Sequence, residues 1–91
     1  MLSQLNVSEI QIWPVKPNDG LLAFASLVIG NALYLSSIGV YRKRNGEGYR
    51  ITYPTRKVGG RDLQIFHPIH SEVGRMIEKA ITEKASEVLE I

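Results

Sequence analysis

The stretch Tyr49–Ser71, YRITYPTRKVGGRDLQIFHPIHS, decides how this chain folds. Tyr49, Ile51 and Tyr53 alternate with Arg50 and Thr52, the period of a half-buried strand. Pro54 cannot donate to a ladder and stops that strand. Thr55 to Arg61 reads as a basic loop with Gly59-Gly60 at its tip, and Asp62 to Phe66 as a further strand alternating at Leu63 and Ile65. Pro68 closes it, and Ser71 is the expected helix N-cap, with Glu72 in the first turn to suit the helix dipole. Val73, Met76, Ile77, Ala80, Ile81 and Val88 then follow helical spacing and form one apolar stripe. Lys79 and Glu83 stand four residues apart on the outer face, where they can pair.

Working back toward the start, Val7 to Trp13 reads as a strand that Pro14, Pro17 and Asn18-Asp19-Gly20 bring to an end. Leu22 to Ile29 and Ala32 to Tyr41 read as two strands joined by a turn at Gly30-Asn31, and Asn45-Gly46-Glu47-Gly48 makes the next turn. The pattern predicts a single α+β domain over residues 1–91, an antiparallel sheet of about five strands followed by one C-terminal helix. A helix is about 10 Å wide and strands lie about 4.8 Å apart, so one helix cannot cover such a sheet. The central strands are apolar on both sides, and a second copy of the chain is the expected cover: a homodimer.

Several classes are set aside by composition. The chain has no cysteine, so disulfides and thiolate metal sites are absent. Its opening residues, MLSQLNVSE, lack the basic and apolar regions of an export signal, and a cytoplasmic protein is expected. Leu21 to Tyr41 carries no charge and precedes Arg42-Lys43-Arg44, the outline of a membrane span. Ser26, Gly30, Asn31, Ser36, Ser37 and Gly39 dilute it, and a hairpin with no membrane contact is the expected reading.

The chemistry is sparse. His67 and His70 flank Pro68, which prevents a helical presentation of both rings, and only Asp62 and Glu72 lie nearby as further ligands. A structural role at the strand end and helix start is expected for both. His67 with Asp62 has no nucleophile or cofactor loop beside it, and Gly59-Gly60 is too short for a phosphate-binding fingerprint. No catalytic residue, metal, cofactor or small-molecule substrate is expected.

The charge distribution is more telling. Arg42 to Arg61 holds seven Lys or Arg against one acid, Glu47, a local charge of +6, whereas Glu72 to Ile91 holds three basic residues against five acids, −2. Arg42, Lys43, Arg44, Arg56, Lys57 and Arg61 lie in or beside two loops, and Arg50 lies on the strand between them. Such a cluster is either a phosphate-binding surface or a solvated cationic rim. Alternation puts Tyr49 and Tyr53 on the face opposite Arg50, and Trp13 and the tyrosines read as core or dimer contacts before base-stacking residues.

The order Gly20 … Ala25-Ser26, then Tyr53-Pro54-Thr55-Arg56-Lys57, then Asp62 … Phe66-His67-Pro68-Ile69 and a terminal helix resembles the SpoVG family of bacterial sporulation and septation regulators. The likeness runs from about Val7 to about Lys84. It implies a small α+β dimer that binds DNA, with RNA a second candidate, and acts in bacterial gene regulation. Family binding is attributed largely to basic residues near the C-terminal helix, which here are Arg56, Lys57, Arg75 and Lys79. The resulting expectation is a non-enzymatic regulator in which Arg56, Lys57 and Arg61 hold phosphate and Arg75 and Lys79 extend the surface. The alternatives are a protein-interaction module that meets an acidic partner and, last, an enzyme using His67 and Asp62.

Overall fold

The computed structural model describes residues 5–90; the first four residues, which open the stretch read for an export signal, and Ile91 lie outside it. The described residues form β1 (Val7–Asn18), β2 (Leu21–Ile29), β3 (Leu33–Arg42), β4 (Tyr49–Thr52), β5 (Thr55–Val58), β6 (Arg61–Gln64) and α1 (Ser71–Leu89). Strands β1 to β4 pair antiparallel in sequence order, and β5 pairs only with β6. The class is α+β with a C-terminal helix, but the strands divide four and two rather than forming one sheet of five.

The division has a local cause. Gly59 and Gly60 both sit at positive φ, 58° and 80°, which suits the two-residue hairpin turn whose twist matches its strands. The stretch expected as a basic loop therefore zips into its own hairpin, with Val58 opposite Arg61 and Thr55 opposite Gln64. The strand expected over Asp62–Phe66 belongs to this hairpin and never reaches the main sheet. Every residue of β5 and β6 is exposed.

Two further expectations change. β1 does not stop at Trp13 but continues through Pro14 and Pro17, with Pro14 opposite Ala23. It is an edge strand, so a proline can turn its missing donor outward. The helix N-cap is His70, not Ser71: His70 is extended at φ −121° and its Nδ1 accepts from the Glu72 amide at 3.2 Å. That contact gives His70 a structural task.

One face of the four-stranded sheet holds the core. Ala23, Ala25 and Leu27 of β2, Ile38 and Val40 of β3 and Tyr49 of β4 are buried with Ile77, Ile81 and Ala85 of α1. Ala23, Ala25 and Ala85 put only small side chains into this cluster. Bulges on β1 beside Glu9 and on β3 beside Ser37, both at positive φ, flank the middle of β2. Bulges sharpen twist, and α1 comes closest to the outer strands β1 and β4. Asn31, also at positive φ, completes the β2–β3 turn, so Leu21–Tyr41 is two strands; no described helix is long and apolar enough to cross a membrane.

The helix is tied at its end as well. The Tyr49 hydroxyl donates to Glu90 Oε2 at 2.7 Å. Burial, then the hydrogen bond and charge of Glu90, push the phenol above its ordinary value of 10, against an opposing effect of Arg42.

Two outcomes follow from this packing. Ile77→Ala should cost about 2–5 kcal/mol in urea unfolding, the range for truncating a buried aliphatic side chain; a loss under about 0.5 kcal/mol would mean the helix is not seated as described. Tyr49 binds its proton more tightly folded than unfolded, so its contribution is complete below the unfolded value near 10 and is lost as pH rises through the higher folded value. Thermal melts between about pH 9 and 11 should therefore fall more steeply for the native protein than for Tyr49→Phe, and parallel curves would contradict the assignment.

Candidate nucleic-acid interface

The register sorts the cations into three places. The first is the gap between β4 and α1. The β3–β4 turn is closed by Lys43 N–H donating to Gly48 O at 3.1 Å and Gly46 N–H donating to Lys43 O at 2.9 Å, with Asn45 Oδ1 accepting from the Glu47 amide. This turn brings Lys43 to the helix. Lys43, Tyr49, Arg75, Glu78, Lys79 and Thr82 line an open groove of about 360 Å³. Arg75 and Glu78 also line a second groove with Ile51, Tyr53, Pro68, Ser71 and Gly74. The two grooves join into one trough along the edge strand β4, running from Lys43 to the base of the β5–β6 hairpin. Beyond Lys43 the trough continues past Glu83, Ser86 and Glu90, so its cationic stretch has an acidic end.

Lys43, Arg75 and Lys79, drawn from separate stretches of sequence, thus meet at one surface, with Glu78 the acid among them. The Arg42 guanidinium lies 5.4 Å from the Tyr49 ring centroid, held toward the body, and Arg44 stays exposed in the turn. Lys79 does not form the expected pair with Glu83. Among the described residues the one ion pair is Lys84–Glu87 at 4.0 Å, so none of the eight expected cations is neutralised by a salt bridge. Lys79 turns instead to the groove, where a long side chain can lay its apolar stem on Tyr49.

The hairpin is the second place. Residues opposite one another share a face, so Arg56, Val58, Arg61 and Leu63 lie on one side and Thr55, Lys57, Asp62 and Gln64 on the other. The expected trio is therefore split. Arg56 and Arg61 point one way beside apolar side chains, and Lys57 points the other way, opposite Asp62.

The third place was missed by sequence reasoning. Arg50 stacks on Tyr41, its guanidinium 4.5 Å from the ring centroid. Its strand neighbours Tyr49 and Tyr53 lie on the other face; the partner of Arg50 is its cross-strand opposite, fixed by the Arg42–Tyr49 and Tyr41–Arg50 register. The length of the Asn45–Gly48 turn is the signal that could have found it. Tyr53, edge-on to Phe66 at 6.0 Å between centroids, is pushed above its ordinary value by burial and then by the charge of Glu78.

His67 and His70 do not converge on a site: His67 Nδ1 lies 3.2 Å from Pro68 O, and His70 caps α1. Among the described residues no three His, Asp or Glu side chains gather as metal ligands would.

Comparison with known proteins agrees with the motif order. Two curated bacterial relatives carry the description "Putative septation protein SpoVG". That of Treponema denticola is 26% identical over 80 residues, 87% of this chain and 84% of the relative. That of Caldicellulosiruptor saccharolyticus is 28% identical over 86 residues, 93% of this chain and 96% of the relative. The SpoVG family model matches residues 5–87, from before β1 almost to the end of α1, and the chain belongs to the SpoVG family.

Proposed function

We propose that this chain is a non-enzymatic, cytoplasmic nucleic-acid-binding regulator that works as a homodimer on DNA, with RNA a second target, in the control of septation or sporulation. The observation that carries the reading is the trough, where Lys43, Arg75 and Lys79 gather along β4 and lead to the hairpin bearing Arg56, Lys57 and Arg61. Guanidinium and ammonium groups held at fixed spacing bind phosphates and release counterions. The hairpin stands clear of the body and is narrow enough to follow a groove, since the major groove admits a two-stranded ribbon. The names of the relatives supply the septation context.

The homodimer draws support from exposed apolar groups. An isolated two-stranded hairpin is marginal in water, and Val58, Leu63 and Ile65 leave this one with apolar side chains uncovered. Ile69 is 94% exposed and follows Pro68, which lines an apolar pocket of about 210 Å³ with Leu33, Tyr53, Phe66 and Val73. A protruding apolar side chain beside an apolar pocket is self-complementary, the condition for a twofold contact. In the dimer each Ile69 seats in the partner's pocket.

Salt titration tests the first part. Arg75→Ala with Lys79→Ala, and separately Arg56→Ala with Lys57→Ala, should weaken duplex binding about equally across sequences. Each pair should also flatten the log–log salt dependence, by roughly 0.9 for every phosphate the variant no longer holds. Lys16→Ala with Lys84→Ala should do little. Unchanged affinity and slope in both double variants, with circular dichroism showing them folded, would reduce the cations to a solvated rim and favour an acidic protein partner. Sedimentation equilibrium tests the second part. The native chain should return about twice its 10.2 kDa mass and melt at a temperature that rises with protein concentration, and Ile69→Glu should return a folded monomer whose lower melting temperature no longer depends on concentration. A native monomer, or a dimer indifferent to Ile69→Glu, would refute the contact.

A further inference from the structure

The sheet face turned away from α1 is the surface that the trough reading leaves unused. Its residues follow from the register. Trp13 on β1 stands opposite Phe24 on β2, and Phe24 opposite Gly39 on β3. One rank along, Leu21 and Tyr41 stand opposite each other, and Tyr41 opposite Arg50. Trp13 is 55% exposed and Phe24 40%, and farther along the same face Tyr34 is 65% exposed. The indole is tethered by its N–H, which donates to the buried Ser26 Oγ at 3.5 Å. Gly39 has a matching role. A Cβ there would lie 2.7 Å from Thr52 Oγ1 and 3.0 Å from the Tyr41 ring, so any side chain at this position would have to displace Thr52 or the ring that carries Arg50.

We infer that this open face, centred on Trp13 and Phe24 and flanked by the Tyr41–Arg50 stack, binds single-stranded nucleic acid; the inference rests on the nucleic-acid reading above and gives it a second, strand-specific surface. Three features select the occupant. Trp13 and Phe24 offer adjacent aromatic groups on a sheet surface, the platform on which unpaired bases stack regardless of sequence. Arg50 supplies a cation held over the Tyr41 ring, a contact that leaves guanidinium N–H donors for phosphate. No acid occupies any paired position of this face, where Ser8, Gln11, Asn18, Ser26 and Thr52 are the other polar residues.

That last feature weighs against a second copy. A twofold sheet-on-sheet contact would present the same groups from both sides and bring Arg50 against a face with no carboxylate at any paired position, where burying the ion is costly; the acids nearest in sequence, Glu9 and Asp19, lie in the β1 bulge and the β1–β2 turn. A single strand brings both missing elements, base planes for the aromatic groups and phosphate for Arg50. A duplex brings the phosphates but keeps its base planes stacked inside.

Trp13 is the chain's only tryptophan, so its fluorescence reports on this face alone. An oligothymidylate of about 15 nucleotides should quench it, and a duplex of the same length should leave it nearly unchanged. Trp13→Ala or Phe24→Ala should weaken oligothymidylate binding by roughly 5- to 150-fold, the span for removing the ring under one stacked base, with duplex binding within about twofold of native. Trp13→Tyr should recover most of the loss, which a merely structural role would not require. Arg75→Ala with Lys79→Ala separates the two surfaces, because it should weaken duplex binding while Trp13 quenching by the single strand persists. Duplex binding that depends on Arg75 and Lys79 together with a silent Trp13 would overturn this inference and leave the trough standing. Absence of binding to either nucleic acid would overturn both. A fall in sedimentation mass in Trp13→Ala would assign the face to a second copy, and equal quenching by polyglutamate would assign it to an acidic protein; either refutes the single-strand site.

Discussion

The packing of α1 across one face of the sheet, nearest to β1 and β4 and with the alanines of β2 in the same buried cluster, is the contact on which the rest depends. Ala23 and Ala25 put no bulk at the centre of the sheet, and Ala85 puts none on the helix, and Ile77 and Ile81 are buried in one cluster with Ile38 and Val40. A buried aliphatic side chain contributes about 1.5–3 kcal/mol, and the two isoleucines of the helix are fully committed to this one face. The helix has to stay where they hold it. Its flank then meets the edge of β4, and the trough forms because an edge strand has no neighbour to fill that space.

Charge follows from the same placement. The helix is net acidic, yet Arg75 and Lys79 fall one turn apart on the flank that meets the β3–β4 turn. Its other acids lie elsewhere, Glu72 in the first turn, Glu83 at the far end of the trough beside the C-cap Glu90, and Glu87 with Lys84 on the outer surface. A helix that is unpromising for phosphate by total charge thus presents a cationic strip on one side, with Glu78 as the single acid within it. Orientation decides what composition cannot.

The hairpin is held by other means. Strands β5 and β6 have no core of their own and rely on the turn at Gly59-Gly60, their ladder, and the amide of Ile65 donating to Pro54 O at 2.8 Å. Such an element gains little from the fold's hydrophobic burial and is free to serve a surface purpose. Its two faces differ, one mixing Arg56 and Arg61 with Val58 and Leu63, the other carrying Lys57 against Asp62.

The amino-acid sequence by itself determined the elements made by local rules. The amphipathic stripe, the turns at Gly30-Asn31 and Asn45–Gly48, the alternation of Tyr49, Ile51 and Tyr53, and the eight candidate cations were all legible, because each depends on residues close in sequence. Only the tertiary structure decided pairing. It sent β6 to β5 instead of the main sheet, carried β1 through two prolines by leaving it at the edge, and replaced Ser71 with His70 as the cap. It gathered Lys43 with Arg75 and Lys79 while dividing Arg56 and Arg61 from Lys57. It also turned Trp13 outward and put Tyr41 beneath Arg50. The physical reason is common to all of these: a strand's period states which residues share a face, but the partner strand and its register decide what that face meets.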